Sequence, residues 1–179
     1  FDDPFVDEDV AAEVVGREDF RAAGHRAQAE SMVLLENRTV DGVPVVPLRP
    51  GLRLYVEGWP VEEAARLGVV VDDPVDADVA VVRLAPPFEP RDDLFLETVF
   101  HQGSLAYRPG LVARLREIAR TTPLVVDADL ERPALLDAFA DVASVLVTHV
   151  GVSSAAFADV LSGAVVPRGR LPFEVPRSA

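Results

Sequence analysis

The chain has 179 residues, 49% of them hydrophobic, which is enough for one domain with a sizeable core. Its 30 acidic and 17 basic residues leave a formal charge of −13, which repels phosphate backbones and anionic headgroups, so neither nucleic acid nor a membrane surface is expected as a partner. With no Cys there are no disulfides, thiolate metal sites or Cys nucleophiles, and His25, His101 and His149 lack ligand-like spacing, so neither metal nor cofactor is expected.

In chain order, residues 1–16 are acidic and interrupted by Pro4, and read as a surface connector ahead of a domain spanning 17–179. Residues 17–36 carry Phe20, Ala23, Ala27, Met32 and Leu35 on one stripe, predicting a helix that Asp19 could cap. Residues 52–57 alternate and stop at Gly58, predicting a strand; 60–67 predict a short helix and 68–71 a short extended piece. The run 77–84 is a continuous apolar strand ended by Pro86 and Pro87. Residues 109–120 form an amphipathic helix with Pro109 at its start, followed by a strand over 124–127 and a helix over 132–140. Residues 144–150 are a β-branched apolar run. Ser153 or Ser154 caps the next helix, Gly163 stops it, and Pro167, Pro172 and Pro176 impose an extended tail. The alternation predicts an α/β fold: a mostly parallel sheet sandwiched between helices. No apolar run is long enough to span a bilayer, so a soluble chain is expected, either cytoplasmic or secreted. No strand is followed by a Gly-rich dinucleotide or phosphate loop.

The end of the chain carries a resemblance. A helix closing on Ala158-Asp159-Val160-Leu161 with Gly163, followed by Pro167 to Pro176 (PRGRLPFEVP), resembles the C-terminal α/β domain of glycoside hydrolase family 3, which includes β-glucosidases and β-xylosidases. Ser31 to Asn37 (SMVLLEN) is similar to the family's entry into that domain, with Glu36 in place of the usual Lys. His101 to Tyr107 (HQGSLAY) resembles a stretch of bacterial members. The resemblance implies hydrolysis of terminal β-linked sugars with retention, a nucleophilic Asp on an N-terminal (β/α)8 barrel, and residues 1–16 leading from that barrel. This chain, alone, is expected to be inactive.

Ligands of an open parallel sheet approach the carboxyl ends of its strands. The longest loop there follows the strand at 77–84 and is rich in acids, arginines and aromatics, a composition suited to a saccharide. Glycoside hydrolysis needs two carboxyl groups roughly 5–9 Å apart. In many members of the family the acid/base is a Glu of this loop, and the resemblance implies Glu89, in Pro87-Phe88-Glu89-Pro90, with Glu97 as second choice. Phe88, Arg91 and His101 are the candidate substrate contacts. Ser104 lacks a nucleophile elbow, and Asp127 and Asp129 equally suit a helix cap. The alternative is a non-catalytic carbohydrate-binding or interdomain scaffold domain, since other members keep an Asp–His pair inside the barrel.

Overall fold

A computed structural model describes residues 5–91, 93, 95 and 99–176. The elements are α1 (Glu8–Val14), α2 (Glu18–Ser31), β1 (Val33–Asn37), β2 (Thr39–Val40), β3 (Val43–Pro44), β4 (Leu52–Glu57), α3 (Val61–Ala64), β5 (Gly68–Val70), β6 (Val79–Leu84), α4 (Pro109–Ala119), β7 (Leu124–Asp129), β8 (Val145–His149) and α5 (Ser154–Ser162). Among the described residues, six strands form one sheet in the order β1-β8-β7-β6-β4-β5, and β2 and β3 form a separate hairpin. Every pair in the large sheet is parallel except β1 with β8. No described helix is long and apolar enough to cross a membrane.

The central strands are apolar on both faces because both are covered. Val79, Val81, Val125, Val145 and Val147 face one core, filled by Ala29 and Met32 at the end of α2, Ala64 of α3, and Ala156, Phe157, Val160 and Leu161 of α5. Ala80, Val82, Leu124, Val126 and Leu146 face the other, against Val112, Leu115 and Ile118 of α4 and the buried Phe139. The period-2 alternation along each strand assigns successive residues to opposite layers. The expected α/β sandwich is thus the observed architecture.

Four local expectations are corrected. The helix predicted over 17–36 stops at Ser31: Met32 is extended (ψ 146°), and Val33–Asn37 becomes the antiparallel edge strand on β8. Backbone pairing with β8 claims residues that the apolar stripe alone would have kept helical. Asp19 is not the cap of α2; Arg17 holds that position and grips the Asp19 carboxylate at 2.6 and 2.7 Å. The helix predicted over 132–140 shrinks to a 3-10 turn at Leu136–Phe139. Pro133 disfavours helical geometry at Arg132, and the Leu135 N–H is spent on Leu105 O at 2.9 Å. The helix predicted over 60–67 keeps only its first turn as α3. By contrast, Ser153 caps α5 through Ala156 N, and Gly163 ends it in the left-handed region (φ 78°).

The tail explains its own glycine. Arg168 and Gly169 N–H groups donate to Glu30 O and Met32 O at 2.8 and 3.0 Å, lashing the tail to the α2–β1 junction. A Cβ on Gly169 would lie 2.0 Å from Ser31 O and 2.6 Å from Met32 O, both backbone atoms that cannot swing aside. Gly169→Ala should therefore cost about 2 kcal/mol and lower the midpoint of thermal unfolding by roughly 4–8 °C. A midpoint that does not move in a circular-dichroism melt contradicts this close packing.

Candidate active site at the carboxyl edge

The chain leaves β4 toward β5 on one side of the sheet and leaves β6 toward β7 on the other, so β4 and β6 flank the topological switch point. Crevices that take ligands form outside the carboxyl ends of strands at such a point. Here the two exits touch. Gly58 follows β4 with φ 65°, and a Cβ there would sit 2.5 Å from Arg83 O in β6. Trp59 folds inward and meets the Phe157 ring edge-on at 5.3 Å between centroids.

Beneath the exits lies a buried ionic network that joins three strands and α5. Arg83 and Asp127 are opposite one another in register, and Arg83 Nε donates to Asp127 Oδ2 at 2.5 Å. Asp127 is fully buried, and its Oδ1 is 3.0 Å from Nε2 of the buried His149. His149 Nδ1 accepts from Val152 N–H at 3.4 Å, while its Nε2 meets Asp127 Oδ1 as a close polar contact without hydrogen-bond geometry. Arg83 Nη1 reaches Ser154 Oγ at 3.2 Å, and its guanidinium lies 5.0 Å from the Phe157 ring centroid. A buried carboxylate persists only when paired and hydrogen-bonded. Asp127, expected to suit a helix cap, takes this role instead. Asp129 instead closes a turn, accepting from Glu131 N at 3.1 Å and Gly151 N at 3.4 Å.

The long loop rises from β6 at this edge as two legs. Glu89 N–H donates to Gln102 O at 2.8 Å, and Gln102 Nε2 returns a bond to Glu89 O at 3.3 Å. Gly103, at φ 83°, lies directly under Glu89: a Cβ there would be 2.5 Å from Glu89 Oε2 and 2.7 Å from its Cδ. The carboxyl group thus rests on bare backbone and faces solvent. Next to it Phe88 and His101 stack with centroids 4.2 Å apart and planes inclined by 17°. His101 Nδ1 is held 3.2 Å from Glu131 Oε2. The stacked pair presents a flat, partly exposed ring face at the surface.

Glu89, Phe88 and His101 are therefore brought together, whereas Arg91 forms a fork with Asp93 at 2.9 and 2.5 Å. Glu97 lies outside the described residues, as does Asp92. A cleft of about 320 Å³ opens beside Glu89, lined by Phe88, Pro90, Ser104, Tyr107 and Arg108. Ser104 Oγ accepts from Ala106 N at 3.1 Å and serves as a turn former. Burial, with smaller contributions from the Asp129 and Asp127 charges, pushes the Tyr107 phenol well above its usual range, so it stays protonated. Sequence reasoning missed Arg83 and Glu131 as parts of the site. The one available signal was an Arg inside an otherwise apolar strand, which demands a buried partner.

No family model matches the sequence. Curated relatives do. The chain is 38% identical over 179 residues to the probable β-glucosidase C of Aspergillus flavus, covering 99% of this chain and 28% of that protein. It is 39% identical over 179 residues to the β-glucosidase C of Emericella nidulans, covering 29% of it. A periplasmic β-glucosidase/β-xylosidase of Dickeya chrysanthemi is 35% identical over 183 residues, with 27% of it covered. The chain thus spans less than a third of the length of the relatives it matches. Among solved structures, the β-glucosidase of Listeria innocua superposes with a TM-score of 0.73 at 19% identity, over 97% of this chain and 29% of that one. The β-glucosidase 3B of Thermotoga neapolitana, solved with glucose, gives 0.69 at 14% identity, over 91% and 32%. These likenesses establish the same fold.

Proposed function

We propose, since the chain belongs to glycoside hydrolase family 3 as its C-terminal α/β domain, that it forms one wall of a β-glycosidase active site and supplies the acid/base, Glu89. The observation that carries this reading is the placement of Glu89. It is an exposed carboxyl group on a backbone platform, beside an aromatic stack, on the loop that springs from the switch point. An N-terminal (β/α)8 barrel of the full-length protein holds the nucleophilic carboxylate. As that carboxylate forms a bond to the anomeric carbon, Glu89 gives its proton to the departing glycosidic oxygen. It then takes a proton from the water that hydrolyses the glycosyl-enzyme. Phe88 and His101 contact the β-glycoside, together with Arg91, whose guanidinium pairs with Asp93.

Residues 1–16 serve as the connector from that barrel. Support comes from Val6, just ahead of α1, and Val10 and Val14 within it, which recur every fourth residue and are 74%, 55% and 42% exposed, an apolar stripe left uncovered among the described residues. The chain by itself is half of a cleft. The purified chain should release no nitrophenol from a nitrophenyl β-glucoside that the full-length protein hydrolyses. Measurable release by the chain alone contradicts the division of labour.

A further inference from the structure

We infer that Arg132 is a positioning residue that sets the height and tilt of Glu89, an inference that rests on the acid/base reading above. Arg132 follows β7, outside the loop that carries Glu89, and its half-buried guanidinium reaches both legs of that loop. Nη1 donates to Pro87 O at 3.2 Å and Nη2 donates to Gly103 O at 2.9 Å. The first carbonyl precedes Glu89 by two residues. The second belongs to the glycine on which the Glu89 side chain lies.

One planar fork therefore spans the neck of the loop. Neither carbonyl belongs to the sheet, and among the described residues the legs are hydrogen-bonded to each other through the Glu89–Gln102 pair and stacked through Phe88 and His101. Without the guanidinium the legs lose the brace that fixes their separation at the level of the carboxyl group. The clamp itself is well founded. Pro133 restricts Arg132 to extended backbone, and Leu135 N–H binds Leu105 O at 2.9 Å, so the segment after Arg132 is tied to the second leg again. Neighbouring Glu131 holds His101, so consecutive residues organise both the carboxyl group and the aromatic stack beside it. Lysine cannot replace this arginine, because a point charge on a flexible stem does not bridge two carbonyls in a fixed fork.

A misplaced proton donor damages bond cleavage in proportion to how much the leaving group needs the proton, whereas loosened packing damages all substrates alike. The experiment compares kcat/KM, which reports the cleavage of the glycosidic bond alone, of the full-length protein on an alkyl β-glucoside and on 2,4-dinitrophenyl β-glucoside for Arg132→Ala, Arg132→Lys and, as reference, Glu89→Gln. Arg132→Ala should lose about 100-fold on the alkyl glucoside and at least tenfold less than that on the dinitrophenyl one, by the usual cost of small misplacements. Arg132→Lys, which keeps the charge and most of the volume, should show the same selectivity with a smaller loss. A selective loss in Glu89→Gln with equal losses on both substrates in the Arg132 variants overturns the positioning role and leaves Glu89 in place. No selective loss in Glu89→Gln overturns the acid/base reading and the role of Arg132 with it. If Arg132→Ala does not fold, the lysine variant decides.

Discussion

Asp127→Ala should destabilise the chain by about 3–5 kcal/mol, a drop of roughly 10 °C in the unfolding midpoint. The cost arises from what is left behind. Arg83, with only 17% of its side chain exposed, loses the carboxylate that its Nε meets at 2.5 Å. His149, 2% exposed, loses the carboxylate beside its Nε2. A cation stranded in a low-dielectric site costs far more than the pair contributed relative to apolar residues. The double variant Arg83→Met/Asp127→Leu should therefore recover most of the loss. The network joins β6, β7, β8 and the start of α5, so its loss loosens the floor from which the long loop rises. Calorimetry on the single and double variants checks this. A loss under about 1 kcal/mol for Asp127→Ala, or a double variant no better than the single one, contradicts a charge-pair origin.

The second large effect is on catalysis. Glu89→Gln in the full-length protein should lower kcat on disaccharides and alkyl glucosides by about 10²–10⁴-fold, the usual contribution of a positioned acid or base. The amide keeps the size of the carboxyl group but neither gives nor takes a proton. Gly103 stays covered and the Phe88–His101 stack stays intact, so substrate affinity should change little. A fall in kcat/KM through KM alone would mark Glu89 as a binding residue instead.

Much of this architecture is legible in the chain. β6, β7 and β8 are runs of small and β-branched apolar residues because each is buried on two faces, and the loop's position at the carboxyl edge follows from the order of elements. The edge strand β1 is not legible. Its residues continue the apolar stripe of α2, and only pairing with β8 decides their conformation. The hairpin of β2 and β3 carried an unread signal in Asp41-Gly42, both at positive φ (52° and 79°), the usual turn for two short strands. Arg83, Asp127 and His149 are scattered polar residues until strand register lines them up. Arg132 reads as the start of a helix, and its reach to Pro87 and Gly103 depends on how the long loop folds back. Glu89 was reachable from the family resemblance, while its seat on Gly103 emerges only in three dimensions.

The most direct measurement of the central claim uses a small nucleophile that needs no base. The full-length Glu89→Gly protein is given 2,4-dinitrophenyl β-glucoside, whose leaving group needs no acid, with and without azide. If Glu89 is the acid/base, azide accelerates turnover and the product is β-glucosyl azide, of retained configuration. Turnover on an alkyl glucoside at the rate of the unsubstituted protein, with no azide product formed, contradicts the assignment.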